Sequence, residues 1–493
     1  MSTTARPAPP GPHAADSTPG APRSGAGAST ELLAADRVGQ LLSWLDLPGP
    51  RYTSYPTADR FGPDFGAADY RHALEQRAGQ GAEASAPLSV YLHVPFCESV
   101  CYYCACNKLV TRQHEHAEHY LQALHREIAL HTGVLGTGQP LSQLHLGGGS
   151  PTFLSDVELV RLMALLRSAF HFMPEAEVSI EIDPRTVDGG RLRHLAALGF
   201  NRLSFGVQDF DPAVQAAVHR VQPFESVQRL MDEARAIGFD SINADLICGL
   251  PRQTPESFAR TVAQIGALRP DRIALYAYAH LPQRFKPQRR IQAHELPGAG
   301  DRVHMLRTAI SGFQGLGYVH IGMDHFALPT DPLAVARREG RLHRNFQGYS
   351  TQADCDLIGL GPSAIGKIGA CYSQNAKVLS DYEAALQQGQ FPVERGLVVE
   401  PEDLLRRTVI MALMCQGQVL FEAVEKAHGV RFGVHFREEL ERLRPFASRL
   451  LVELEPEAIR VTPLGWYFVR AIAMVFDRHL QAGAARERYS RIL

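Results

Sequence analysis

From residue 87 the chain repeats a simple rhythm. Short runs rich in Val, Ile, Leu and aromatic residues occur at 87–96, 143–152, 176–184, 201–210, 240–251 and 271–282. Their length and β-branched content predict strands. Longer stretches with helical spacing lie between them, at about 115–133, 155–171, 188–199, 211–237 and 255–268. Such alternation predicts an α/β fold with a parallel sheet and helical crossovers. Six units are too few for the usual eight-stranded ring. The pattern therefore predicts a partial (β/α)6 barrel of TIM type, open on one side.

Polar residues gather at the strand ends: a set of cysteines, Gly147 to Gly149, Glu181 and Asp183, Gln208 and Asp209, Asp245, and Tyr278 to His280. In a parallel barrel these ends share one mouth. A single one would pass as a helix cap or a satisfied core group. Their recurrence at successive strand ends predicts a site. Around the barrel, at 86–330, the chain divides into four further parts. Residues 1–35 form an Ala/Pro/Gly-rich tail expected to be disordered. Residues 36–85 form an N-terminal extension, 331–370 a connecting active-site segment, and 371–493 a mostly helical C-terminal domain.

Charge narrows the partners. The 493 residues carry 50 Lys and Arg against 52 Asp and Glu, which gives no sign of nucleic acid as a partner. No run of 18 apolar residues predicts a membrane span, and the N-terminus lacks the apolar core of a signal peptide. Four of the eight cysteines, Cys248, Cys355, Cys371 and Cys415, are scattered. That is poor material for a disulfide framework, so a reducing cytoplasm is the expected compartment.

The other four cysteines fall in FCESVCYYCAC, residues 96–106. Cys97, Cys101 and Cys104 give the spacing C-x3-C-x2-C, with Cys106 beside them. Structural zinc usually takes two separated pairs, and no second pair follows. His114, His116 and His119 could supply nitrogens, but their polar, helix-like context reads as a solvated face. A C-x-x-C redox pair leaves Cys97 unused. Three thiolates on a [4Fe-4S] cluster fit best, leaving one iron open to bind a small molecule.

That spacing resembles radical S-adenosylmethionine (SAM) enzymes. The wider sequence resembles one family among them, the oxygen-independent coproporphyrinogen III oxidases. The segments that carry this are RYTSYPT (51–57), YLHVPFCESVCYYCACNKLVTR (91–112), HLGGGSPT (145–152), SIEIDPR (179–185), NRLSFGVQDF (201–210), DLICGLPRQTPESF (245–258), YAHLP (278–282), IGMDHFA (321–327) and LHRNFQGYSTQ (342–352). The resemblance runs from about residue 50 to the C-terminus.

The resemblance implies a radical SAM partial barrel that turns two propionates of coproporphyrinogen III into vinyl groups. It implies a [4Fe-4S] cluster on Cys97, Cys101 and Cys104, with Cys106 not a ligand. It also implies two SAM molecules. Tyr91, Gly148, Glu181 and Ile365 match contacts to the first. Tyr103, Gly149, Ser150, Gln208, Arg220, Asp245 and Ala279 match positions lining the second. Gln347 is expected to face the active site, and with Tyr91 and Glu181 it completes the expected catalytic set. Ser150 stands where threonine is common, and Tyr103 where phenylalanine is common. The substrate's carboxylates need cationic anchors. The candidates are Arg284, Lys286, Arg289 and Arg290 in one loop, or Arg344, Asn345 and Gln347 in another segment. RYTSYPT is expected to order over the mouth on substrate binding. An unidentified electron donor and acceptor are implied, and a monomer. The alternatives are a heme-binding chaperone of the same superfamily, a zinc-stabilised binding protein, and a different radical SAM reaction on a tetrapyrrole. Cys106 and RYTSYPT favour the oxidase over the chaperone.

Overall fold

The computed structural model describes residues 48–81, 86–352 and 355–481, together with Leu41. The tail read at residues 1–35 lies outside the described residues. From Pro48 onward the described residues belong to one compact unit.

The six expected strands are present: β1 (Leu88–Val94), β2 (Gln139–Gly148), β3 (Phe170–Ile182), β4 (Arg202–Gln208), β5 (Ser241–Cys248) and β6 (Arg272–Ala277). They pair in this order, all parallel. Helices α1 (Glu115–Leu135), α2 (Asp156–Ala169), α3 (Gly189–Ala197), α4 (Phe224–Ile237) and α5 (Pro255–Leu268) make the crossovers. Their starts follow from local chemistry. Ser155 and Glu158 form a reciprocal capping box on α2, Asp188 caps α3, and Thr254 caps α5 ahead of Pro255. Each α helix lays a buried stripe on the sheet; in α1 this includes Tyr120, Leu121, Leu124 and Ile128. One apolar core runs through both layers.

The sheet is wider than the pattern predicts. Strands β7 (Val319–Gly322) and β8 (His325–Ala327) extend it antiparallel beyond β6. On the other edge β9 (Asp356–Leu360) lies parallel to β1, with Leu88 opposite Asp356 and Leu92 opposite Leu360. It is a seventh parallel strand, inside the segment read as a connection. Its five residues follow no helical run that would mark a new unit. Strands β10 (Ile365–Ile368), β11 (Cys371–Asn375) and β12 (Val393–Val398) continue antiparallel to the edge. The twelve strands run β12-β11-β10-β9-β1-β2-β3-β4-β5-β6-β8-β7 and do not close.

The division read at residue 371 thus falls on a hairpin between two paired strands, and two strands flank a helix, Leu379–Gln387, within 371–398. The helical part begins at Pro401–Gln416 and encloses a three-stranded sheet of Gln418–Leu420, Val452–Leu454 and Ala458–Val461. RYTSYPT is already packed down in this structure. Tyr52 and Tyr55 are 1% and 0% exposed; Tyr52 donates to Asp477 at 2.9 Å, and the Arg478 amide donates to Tyr55 at 3.1 Å. Among the described residues, no helix is long and apolar enough to cross a membrane.

Candidate active site

Just past β1, Phe96 and Cys97 pair with Leu109 and Val110. The Leu109 amide donates to Pro95 at 2.6 Å and the Thr111 amide to Cys97 at 2.9 Å. The cysteine loop between these pairs is therefore pinned at its base. Its outer side docks on the segment after β4. The Tyr102 amide donates to Val218 at 3.0 Å, and Tyr102 stacks on His219 at 5.2 Å. Gln288 braces it from the β6 side, donating to the carbonyls of Tyr103 at 2.9 Å and Ala279 at 3.2 Å.

The loop closes over a cavity of about 160 Å³ at the strand ends. Of the residues singled out from sequence, Cys97, Cys101, Tyr103, Cys104, Gly148, Gly149, Ser150, Glu181, Gln208, Arg220 and Asp245 all line it. Cys106, Lys108, Asp183 and Arg185 line it as well. Two guanidiniums face Cys101: Arg220 Nη1 at 3.4 Å and Arg185 Nη2 at 3.6 Å from Sγ. Both also hold Asp183. Burial alone would raise the Asp183 carboxyl, but the Arg185 hydrogen bonds and the Arg220 charge outweigh it and lower it. Cys104 is drawn down to about 5 by a hydrogen bond from the Cys106 thiol, helped by Lys108 against the effect of burial. Burial, with the neighbouring thiols, pushes Cys97 up to about 12.

The glycine run is required by close approach. A Cβ on Gly149 would lie 2.6 Å from the Phe96 carbonyl oxygen, and Gly148 has φ +112 with the His93 ring 2.8 Å from its would-be Cβ. This lets the strand end run along the cysteine loop, with the Gly149 and Ser150 amides donating to Val94 and Phe96, both at 2.7 Å. Glu181 accepts from the Gly148 amide at 3.2 Å. His145 Nε2 lies 3.4 Å from Glu181 and Nδ1 2.6 Å from Ser179 Oγ. Asp245 accepts from Ser204 at 3.0 Å and Asn243 at 2.9 Å; burial and the Glu181 charge raise it to about 6. Gln208 takes φ 68, a left-handed conformation unusual for a non-glycine, at a register shift in β4.

The four remaining expected residues stand outside this cavity. Tyr91 lies behind the glycine run, its ring stacked on His145 at 5.9 Å and its hydroxyl 3.1 Å from His93 Nδ1. Ile365 sits two strands further out, on β10, its carbonyl packed against Gly359 of β9, which is the register partner of Tyr91. Ala279 lines a neighbouring cavity of about 330 Å³. Gln347 occupies the turn of the hairpin His343–Asn345/Gly348–Ser350. Both its amide atoms are buried without a partner among the described residues.

Sequence reasoning missed Arg185, which follows the acidic pair in SIEIDPR and was the available signal. In the basic loop, Arg290 stacks on Tyr102 at 5.0 Å and donates to its hydroxyl at 3.2 Å, and Arg289 donates to the Pro282 carbonyl at 3.0 Å. The loop braces the cysteines from outside.

The donor set fits an iron–sulfur cluster. Thiolates are the ligand form, and Lys108, Arg185 and Arg220 surround them with positive charge. The three thiols ring a shared cavity, and among the described residues no His, Cys, Asp and Glu side chains converge to hold a single metal ion. In a polynuclear cluster each thiolate takes a different iron.

The radical SAM superfamily matches residues 91–265, and the HemN C-terminal domain matches residues 399–468. An oxygen-independent coproporphyrinogen III oxidase of Pseudomonas aeruginosa is 47% identical over 455 residues, spanning 92% of this chain and 98% of the relative. The one from Escherichia coli is 46% identical over 453 residues, with the same coverage. A Helicobacter pylori relative of that name is 42% identical, spanning 88% of this chain and 95% of its own. The solved structure of coproporphyrinogen III oxidase (HemN) from Escherichia coli, described as a radical SAM enzyme, superimposes with a TM-score of 0.83 at 46% identity; it covers 88% of this chain and 100% of its own. With barrel, cysteine loop and C-terminal domain all matched, the chain belongs to the oxygen-independent coproporphyrinogen III oxidase family of radical SAM enzymes.

Proposed function

We propose that this protein oxidatively decarboxylates two propionate side chains of coproporphyrinogen III to vinyl groups, giving protoporphyrinogen IX. The observation that carries this reading is the convergence of Cys97, Cys101 and Cys104 with Gly148, Glu181 and Asp245 around one cavity. In this reading the three thiols hold a [4Fe-4S] cluster and Cys106 is not a ligand. One SAM lies near Tyr91, Gly148, Glu181 and Ile365. A second lies along Tyr103, Gly149, Ser150, Gln208, Arg220, Asp245 and Ala279. When bound, these cofactors supply a 5′-deoxyadenosyl radical that takes a propionate β-hydrogen, after which the carboxyl group leaves as carbon dioxide and one electron departs to an acceptor.

The protein's own residues do the positioning. Arg185 and Arg220 hold Cys101, while Cys106 and Lys108 keep Cys104 ready as a thiolate. Glu181, fixed by the Gly148 amide, and Asp245 offer carboxylates to the cationic groups and hydroxyls of SAM. Gln347 offers an unused donor and acceptor to the substrate. The eight free cysteines suit a reducing cytoplasm, and a monomer served by a separate electron donor and acceptor completes the reading.

The test is an anaerobic assay of the reconstituted protein with reductant, SAM and coproporphyrinogen III, following porphyrinogens and 5′-deoxyadenosine. Loss of two carboxyl groups per substrate, dependent on SAM, is the expected result. Deoxyadenosine formed while all propionates survive would overturn the reading.

A further inference from the structure

The glycine run at the end of β2 begins with Gly147, which the approach of the cysteine loop does not explain. Gly147 needs no left-handed φ; what it needs is space. A Cβ there would lie 2.7 Å from Glu181 Oε1 and 3.1 Å from the Tyr91 ring. The backbone on one side is fixed in the sheet, so a side chain at Gly147 would push the Glu181 carboxylate aside. Glu181 therefore rests over bare backbone, and something must hold it there.

The holder comes from the same strand, two residues back. Side chains alternate along a strand, so His145 and Gly147 share the inner face, as do Ser179 and Glu181 on β3. The register sets Tyr91 and Ser179 on either side of His145. The Tyr91 ring covers the imidazole at 5.9 Å, with 18° between the planes. Ser179 Oγ stands 2.6 Å from Nδ1, and Glu181 Oε1 stands 3.4 Å from Nε2.

These contacts select one tautomer. An ionised carboxylate only accepts, so Nε2 carries the proton. In the neutral ring Nδ1 is then an acceptor, and the Ser179 hydroxyl donates to it. The 2.6 Å separation is the length of an O–H donor's bond, shorter than an N–H donor's. The Leu144 carbonyl, also within reach of Ser179 Oγ, lies farther off at 3.3 Å.

The other carboxylate oxygen, Glu181 Oε2, accepts from the Gly148 amide at 3.2 Å. The two oxygens thus have different holders, and the carboxylate cannot turn without losing both. Exposure is graded in the same direction. The His145 side chain is 19% exposed and that of Glu181 40%, so the ring is set in the wall while the carboxylate opens to the cavity. Asp245 takes its hydrogen bonds from Ser204 and Asn243 instead. A ligand group whose partners are fixed in advance loses less freedom when it binds.

We propose that His145, held in one tautomer by Ser179, is the positioning residue that seats the Glu181 carboxylate over Gly147 for the first SAM. This rests on the proposed SAM site and adds the residues that prepare it.

The test is a double-mutant cycle in the full-length, cluster-loaded protein. SAM binding is followed by the change it makes in the electron paramagnetic resonance signal of the reduced cluster, which reports the molecule beside the iron. His145→Phe keeps a ring against Tyr91 and removes both nitrogens. It should weaken SAM binding about tenfold, the lower end for a hydrogen bond to a charged group. In a Glu181→Gln background the same change should cost less than about twofold, because the group it positions is gone. His145→Gln, which can return an N–H to Glu181, should recover most of the loss. Iron content should stay at the wild-type value. If His145→Phe does not load its cluster, Ser179→Ala carries the test. The ring stays and the tautomer lock goes, so about a threefold weakening is expected, again absent beside Glu181→Gln. Wild-type affinity in His145→Phe and Ser179→Ala, beside a weakened Glu181→Gln, would overturn the seat and leave the SAM site standing. A loss of equal size with and without Glu181 would also overturn it, since His145 would then act elsewhere. Glu181→Gln binding SAM as tightly as wild type would overturn the proposed SAM site, and the seat with it.

Discussion

The cluster cavity and the arginine site share the inner face of one sheet, yet they are built in opposite ways. The cavity draws on residues from Cys97 to Asp245, most of them at or near the ends of successive strands. Its charges roughly balance: Lys108, Arg185 and Arg220 against Glu181, Asp183 and Asp245. A cluster and SAM come with mixed charge and are met by mixed charge. The arginine site joins Arg51, Asp324, Arg344 and Arg470 across hundreds of residues.

The largest effect tests the cavity. Cys101→Ala should abolish product formation and strip iron and sulfide from the reconstituted protein, read by metal analysis and chromatography. A variant that keeps a full cluster would break the assignment of Cys101. Next comes the charge beside that thiol. Arg220→Gln leaves Cys101 and Asp183 without its guanidinium, and losses of outer partners of metal ligands typically cost 10- to 100-fold. Turnover should fall by about that factor, with an altered electron paramagnetic resonance signal of the reduced cluster. An unchanged signal would confine Arg220 to a structural role.

A third prediction concerns the other buried carboxylate that spans the chain. Glu127 on α1 accepts from the Gly361 amide at 2.8 Å, Tyr382 at 2.7 Å and Asn375 at 2.7 Å. Burial raises it to about 7 despite these bonds. Its native pKa lies above the unfolded value of about 4.3. The stability it contributes is therefore full below about pH 4 and is lost as pH rises through 7. The loss is of the order of 4 kcal/mol at most. Glu127→Gln cannot ionise, so its stability relative to wild type should climb between pH 4.5 and 7.5 in urea titrations. Parallel pH profiles would show that Glu127 is not the group responsible.

The smallest effect separates the two basic regions. Arg289 lies in the loop that braces the cysteines, is exposed, and donates to a backbone carbonyl. Arg289→Ala should leave KM for coproporphyrinogen III within about twofold, as for ordinary surface changes. A tenfold rise would place a carboxylate anchor in this loop.

Much of the cavity was legible because its residues fall in short motifs tied to strand ends. C-x3-C-x2-C, the glycine run and the acids of β3 and β5 need only the alternation of strands and helices to be brought to one mouth. Tyr91 and Ile365, expected from the resemblance alone, stand on either side of Gly359. The fold was legible to the same depth. The six parallel strands stand where the apolar runs predict them. β9 was not legible, since five residues after a hairpin carry too weak a pattern. β11 and β12 read as part of a helical region because edge strands this short have no periodicity of their own.

The sequence by itself determined the barrel and the family, since each rests on local patterns that hydrophobic burial and strand-end chemistry constrain directly. Only the tertiary structure decided where Arg51 points. Its sequence neighbours, Tyr52 and Tyr55, are pulled into the core against the C-terminal region, and Arg470 grips the backbone beside it. That packing carries a guanidinium from the N-terminal extension onto Tyr276, next to Arg344. Like charges gather there because nonlocal packing holds them, and no spacing along the chain records it.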